Sequence, residues 1–305
     1  MRVTGVRVWW VVVAILALST AVSAQGLFDE AVPPGVNFDK AEFRLWVPAG
    51  EERVRAVLVL VPGSNGDGRA MAEDAVWQAF AGKHGLAIIA CRFTDKPHEQ
   101  NFIEDYVDVS RGSGQALVDA ITSLASKSNH PELAQAPFLM WGMSAGGQFN
   151  YEFTAWKPER VAAFVLNKGG IYYSALVSRE ARAVPGVLFI GGKDIAFRND
   201  TIRGLFAVNR RAGALWALAE EPSASHIVGR SRDFSIVFFE DVLPLRLAAD
   251  GTLRAITAAP AGLGNFATRT AAPPAEKPPA EPTAWLATSR VAAAWAALVN
   301  ERPFP

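Results

Sequence analysis

Short runs with apolar residues on both alternating faces recur along the chain. Between them lie longer stretches whose apolar positions return every three or four residues. The first pattern reads as strands buried on both sides, the second as helices that cover them. Residues 54–61 (VRAVLVLV), 86–91 (LAIIAC), 138–142 (FLMWG), 161–166 (VAAFVL), 186–190 (GVLFI) and 215–219 (LWALA) are six predicted central strands. Residues 43–47 alternate more loosely and are predicted as an edge strand. Leu117, Ile121 and Leu124 share one helical stripe, as do Val76 with Phe80, and Phe234 with Val237 and Phe238. Ile202, Leu205 and Phe206 mark another helix, with Asn199 and Asp200 read as its N-cap region. The alternation predicts an α/β protein, a doubly wound, mostly parallel sheet flanked by helices. In such sheets the site lies at the carboxyl ends of the strands.

The two ends of the chain depart from this pattern. Arg2 and Arg7 precede an apolar run at residues 8–18, and Val22, Ser23 and Ala24 supply the small-residue pattern of a signal-peptide cleavage site. Residues 1–24 are therefore expected to be a signal peptide and the protein to be secreted or periplasmic. The apolar run is short of the ~20 residues a spanning helix needs, so no stable membrane span is expected after cleavage. Residues 25–266 are predicted to form the main domain. Residues 267–283 (ATRTAAPPAEKPPAEPT) read as a Pro-rich extended linker, and residues 284–305, with Val291, Trp295 and Leu298 at helical spacing, as a C-terminal helix docking on the domain.

Charge and cysteine content narrow the function. The chain carries 30 Lys and Arg against 30 Asp and Glu, and loss of residues 1–24 removes only Arg2 and Arg7, leaving 28 against 30. With no basic cluster, nucleic acid is not an expected partner. Cys91 is the single cysteine, which excludes an internal disulfide and a multi-cysteine zinc site. No paired-histidine spacing and no phosphate-binding glycine loop with its lysine is present, so no metal and no cofactor is expected.

The chemistry gathers in FLMWGMSAGGQ, where a buried strand leads through Gly142, Met143, Ser144, Ala145 and Gly146 into a helix. Gly-x-Ser-x-Gly in that context is a sharp turn that lifts the serine hydroxyl above a helix N-terminus. A serine hydroxyl attacks only when a base takes its proton, which requires a histidine. His84 and His130 lie at the polar ends of helical segments, where capping is the simpler role, and His98 lies in a polar loop. His226, in the small-residue loop PSASHI after a strand, is the expected base. The carboxylate that holds its tautomer is expected to be Asp194, just past a strand's carboxyl end after Gly191 and Gly192, in preference to Asp200. The Ala145 amide is one expected oxyanion donor, and the second comes from the loop at residues 62–68, from Ser64 or less favourably Asn65.

This constellation resembles the α/β-hydrolase superfamily, with Gly142–Gly146 as nucleophile elbow and the order Ser144, Asp194, His226. The likeness runs over residues 41–246 and points to secreted bacterial esterases, including dienelactone-hydrolase-like and polyhydroxybutyrate-depolymerase-like groups. Pro62-Gly63 stands where that superfamily usually has His-Gly, which leaves the second donor open. The resemblance implies a serine hydrolase of carboxylic esters, acting through an acyl-enzyme on a small-molecule or polymeric ester. Asn65, Tyr106, Tyr172 and Tyr173 are the candidate pocket residues. Lys168 with Gly169 and Gly170 is expected only to turn the chain. A serine peptidase of the same fold and a non-catalytic binding protein on this scaffold are the alternatives.

Overall fold

A computed structural model describes residues 26–99, 103–274 and 281–305. The expected signal peptide lies outside the described residues. The main sheet has eight strands: β1 (Gly26–Val32), β2 (Lys40–Val47), β3 (Ala56–Val61), β4 (Leu86–Thr94), β5 (Phe138–Met143), β6 (Val161–Asn167), β7 (Gly186–Gly191) and β8 (Trp216–Glu221). Their order is β1-β2-β4-β3-β5-β6-β7-β8. β3 to β8 are mutually parallel, while β2 runs antiparallel to both β1 and β4.

Alternation within the central strands feeds two cores. Val57, Val59 and Val61 of β3 face one side, where α2 (Ser113–Lys127), α3 (Ala145–Trp156) and α5 (Ala196–Arg211) pack. Leu58 and Leu60 face the other, under α1 (Ala75–Lys83), α6 (Ser231–Arg246) and the C-terminal α7 (Ser289–Val299). A single turn of helix, α4 (Arg179–Arg182), precedes β7. Both sides of the sheet are thus dry, which is why the strands read as continuous apolar runs.

Four expectations are corrected. The strand at 43–47 is not an edge: β1, outside it, pairs along its whole length. Val76 is exposed, and Trp77, Phe80 and Ala81 make the buried face of α1. Asn199 and Asp200 lie inside α5, whose N-cap is Ile195. Within 267–283, Thr270–Ala272 forms β10, a strand rather than linker, pairing with β9 (Gly262–Asn265), which also pairs β11 (Ala284–Leu286).

This topology positions the site. The chain leaves β3 for β4 on one side, then returns to β5 on the other, so β3 and β5 are neighbours whose connections depart in opposite directions. The crevice at such a reversal lies above the strands' carboxyl ends.

Candidate active site

Ser144 follows β5 and caps α3 with φ 56° and ψ −123°, a conformation costly for any residue but glycine. Crowding explains the glycines around it. A Cβ on Gly142 would lie 2.3 Å from the Gly146 carbonyl oxygen, and one on Gly146 would lie 2.1 Å from the Val61 carbonyl oxygen on β3. The turn is therefore pressed against the neighbouring strand as well as against itself. The Ser144 N–H donates to the Asn167 carbonyl at the end of β6 (2.8 Å), which fixes the elbow from its other side.

The Ser144 hydroxyl lies 3.0 Å from Nε2 of His226, and Nδ1 of His226 lies 2.8 Å from Oδ2 of Asp194. These contacts are consistent with a proton on Nδ1, directed at the carboxylate, and a free lone pair on Nε2 facing the hydroxyl. The Asp194 side chain is buried. Burial acts to raise its pKa, but hydrogen bonds from His226, the Ile195 N–H (2.8 Å) and Arg198 (3.0 Å) outweigh that and hold the carboxyl below its ordinary value. Asp200, the competing carboxylate, sits on α5 and pairs with Arg203. Of the other histidines, His130 is buried beside Glu132 rather than on the surface, His84 caps α1, and His98 stands 3.5 Å from Asp95.

Ala145 opens α3, so its N–H has no carbonyl within its own helix and points out at the helix's positive end. The 62–68 loop comes within reach: a Cβ on Gly63 would stand 3.6 Å from Cβ of Ser144. The Asn65 N–H is engaged by the Tyr106 hydroxyl (3.2 Å), whereas among the described residues the Ser64 N–H has no acceptor. Asn65 also accepts from the Asp95 N–H (2.7 Å) through its side chain, tying the loop down.

A cleft of about 180 Å³ opens beside the hydroxyl, lined by Glu104, Ser144, Gln148, Ile171, Phe197 and Arg198 among others. Ile195, Phe197, Ile227 and Tyr173 are exposed large apolar residues on the segments around it. A larger apolar cavity of about 390 Å³ lies between α5, β8 and residues 265–267 and 281–283. None of Ser144, Asp194 and His226 lines that cavity, whereas Ser144 lines the smaller cleft.

The arrangement sits on a known scaffold. A poly(3-hydroxybutyrate) depolymerase from Bordetella parapertussis superposes with a TM-score of 0.52 at 18% identity, over 75% of this chain and 92% of that one. A ferulic acid esterase superposes with a TM-score of 0.51 at 12% identity, over 67% and 92%. The chain has the α/β-hydrolase fold. A thermostable esterase matches with a TM-score of 0.49 at 16% identity over 64% of this chain, which spans 54% of that one. No protein-family model and no curated protein matches the sequence.

On this α/β-hydrolase scaffold the sequence-predicted residues divide. Ser144, Asp194 and His226 come together, with Ala145 opening α3 next to Ser144 and Gly63, the residue before Ser64, close against Ser144. Tyr106 does not line the cleft: it is fully buried, stacked on Phe93, and supports the 62–68 loop through Asn65. Asn65 is likewise a brace. Tyr172 packs edge-on to Tyr151 with its hydroxyl buried, outside the cleft lining, and Tyr173 is exposed beyond it. The loop carrying both tyrosines is anchored by Glu152, whose carboxylate accepts from the N–H groups of Tyr173 (2.7 Å) and Ser174 (3.0 Å). The lining residues Glu104, Gln148, Phe197 and Arg198 were not anticipated. Gln148, one turn after Ser144 on α3, and Arg198, one turn after Asp194 on α5, carry a signal in their spacing. Glu104 carries none. Among the described residues no helix is long and apolar enough to cross a membrane, and no cluster of three metal-ligating side chains occurs.

Proposed function

We propose that this protein is an exported serine hydrolase that cleaves carboxylic esters through an acyl-enzyme. The observation that carries the reading is the unbroken hydrogen-bonded chain from Ser144 through His226 to buried Asp194, with the serine hydroxyl at a strained turn above a helix N-terminus. His226 takes the Ser144 proton as Oγ attacks the ester carbonyl, and Asp194 stabilises the imidazolium. The negative charge on the tetrahedral oxygen is met by the Ala145 and Ser64 N–H groups. His226 then returns the proton to the departing alkoxide. In the second half, His226 takes a proton from water as its oxygen adds to the acyl carbonyl, then gives that proton to Ser144 Oγ as the acyl–oxygen bond breaks, releasing the acid and restoring the serine hydroxyl. The chain's own residues supply every proton transfer, so the reading needs no cofactor.

The 180 Å³ cleft, with an apolar rim, suits a modest acyl or alcohol group better than a long one buried whole. The esterase and depolymerase names borne by the solved structures on this scaffold agree with an ester substrate. The test is hydrolysis of a small activated ester by the wild type and by Ser144→Ala. A loss of about three or more orders of magnitude in kcat/KM is expected, and an unchanged rate removes Ser144 from the mechanism. Export is tested by N-terminal sequencing of the mature protein, expected to begin at Gln25.

A further inference from the structure

Behind the hydrogen-bonded chain lies a second polar assembly. Lys168, the residue after β6, is fully buried and holds φ 55°. Its Nζ donates to Oε1 of Glu221 (2.7 Å) and to Oδ1 of Asn167 (3.0 Å). The side chain runs beneath the end of β7, where a Cβ on Gly191 would stand 3.1 Å from Cε of Lys168. The other Glu221 oxygen accepts from the Arg230 N–H at 2.7 Å. Glu221 opens the loop that bears His226 and Arg230 closes it, so one carboxylate clasps both ends. Asn167 reaches the same loop: its Nδ2 donates to Oγ of Ser231 (2.6 Å) and to the Val228 carbonyl (3.3 Å). Its own carbonyl holds the Ser144 N–H.

Building this tie is costly. Burying an ion pair forfeits the hydration of both charges, and an apolar pair of similar volume is often equally or more stable. An ordinary turn can lead the chain out of β6 without a buried lysine. What the ion pair adds is direction: it links the strand end that anchors the elbow of Ser144 to both ends of the loop carrying His226. The loop is also anchored by the Ala224 carbonyl, which accepts from the Lys193 N–H (2.9 Å) next to Asp194, and by the Ser223 N–H, which donates to Oε1 of Glu301 (3.0 Å).

We propose that Asn167, Lys168 and Glu221 are positioning residues that fix the His226 imidazole within hydrogen-bonding distance of Ser144. The inference rests on the serine-hydrolase reading. None of the three lines the cleft, so their effect falls on the chemical step and not on substrate capture.

Two variants test it, with Lys168→Met alone as the reference for thermal stability. Glu221→Gln keeps the shape but presents one oxygen and one NH₂ to two donors, the Lys168 ammonium and the Arg230 N–H, so one tie is lost. The double variant Lys168→Met with Glu221→Leu removes both charges and leaves no buried ion unpaired. Each is followed by its thermal midpoint, by kcat and KM on an activated ester, and by the rate of inactivation with a fluorophosphonate probe. The expected result is an inactivation rate and a kcat at least fivefold below wild type in both variants, with KM within twofold, even though the double variant recovers thermal stability relative to Lys168→Met alone. A folded double variant that inactivates within fivefold of the wild-type rate would overturn the proposal and reduce the assembly to a stabilising one. Failure of the wild type itself to react would instead remove the hydrolase reading on which this one stands.

Discussion

Ser144 keeps a backbone conformation that costs about 1–3 kcal/mol, and three neighbours over-determine it: β3 packed against Gly146, the Asn167 carbonyl, and the first turn of α3. His226 is held from the other side by Asp194, whose carboxyl lies below its ordinary value because its hydrogen bonds outweigh burial. A lowered folded value means the proton binds only at more acid pH than in the unfolded chain. Asp194 is accordingly ionised throughout the neutral range, and its contribution disappears only below the usual carboxylate range. Asp194→Asn, which cannot impose the same tautomer, should reduce kcat by about 10³–10⁴-fold on a chromogenic ester with the fold intact by circular dichroism; a loss under tenfold would assign the imidazole's orientation to other groups. These three residues were legible in sequence because each lies in the connection leaving the carboxyl end of a strand that reads as apolar on both faces, the edge at which such a sheet gathers its site. The direction of the Tyr106 side chain was not legible. A tyrosine in a loop can face the cleft or the core, and only the stack on Phe93 decides. Lys168 reads in sequence only as a turn residue for a related reason: a lysine after a strand ordinarily faces water, and its burial depends on Glu221, distant in sequence.

At the scale of elements, Glu240 on α6 is the clearest link between packed helices. Burial acts to raise its carboxyl, but hydrogen bonds from Lys83 on α1 and Arg290 on α7 outweigh it and bring the pKa to about 2. With the folded value depressed, the stabilisation is complete above the unfolded carboxylate range and is lost as pH falls through about 2. Glu240→Gln should therefore lower the thermal midpoint at pH 7, and the gap from wild type should shrink as pH is taken from 5 towards 2. A gap constant with pH would show that the charge does not contribute. The misread elements are those where burial is partial. β1 mixes Asp29 and Glu30 with apolar residues at the sheet's edge, where Arg44 on β2 pairs with Asp29, so its period-two signal is diluted. On α1 both the 76/80 and the 77/80/81 spacings are helical. The larger area of Trp77, packed on Trp141 of β5, decides for the second.

For the molecule as a whole, the C-terminal segment completes the core instead of trailing from it. Trp295 of α7 is fully buried and donates through Nε1 to the Leu218 carbonyl on β8 (2.7 Å), closing the side of the sheet that α1 and α6 also cover. Trp295→Ala should cost about 3–5 kcal/mol, a fall in thermal midpoint of roughly 6–20 °C by calorimetry. A change of a degree or less would mean that α7 is dispensable. The helical spacing of Val291, Trp295 and Leu298 made this docking foreseeable. The β9, β10 and β11 sheet before it was not, because alanine- and glycine-rich strands such as GLGN and TAA carry no apolar alternation. The proposed mechanism rests on one hydroxyl, that of Ser144, and mass spectrometry after treatment with a fluorophosphonate probe tests it most directly. One adduct per chain, on the peptide containing Ser144 and absent from His226→Ala at the same exposure, is the expected result. No adduct, or an adduct on any other residue, would contradict it.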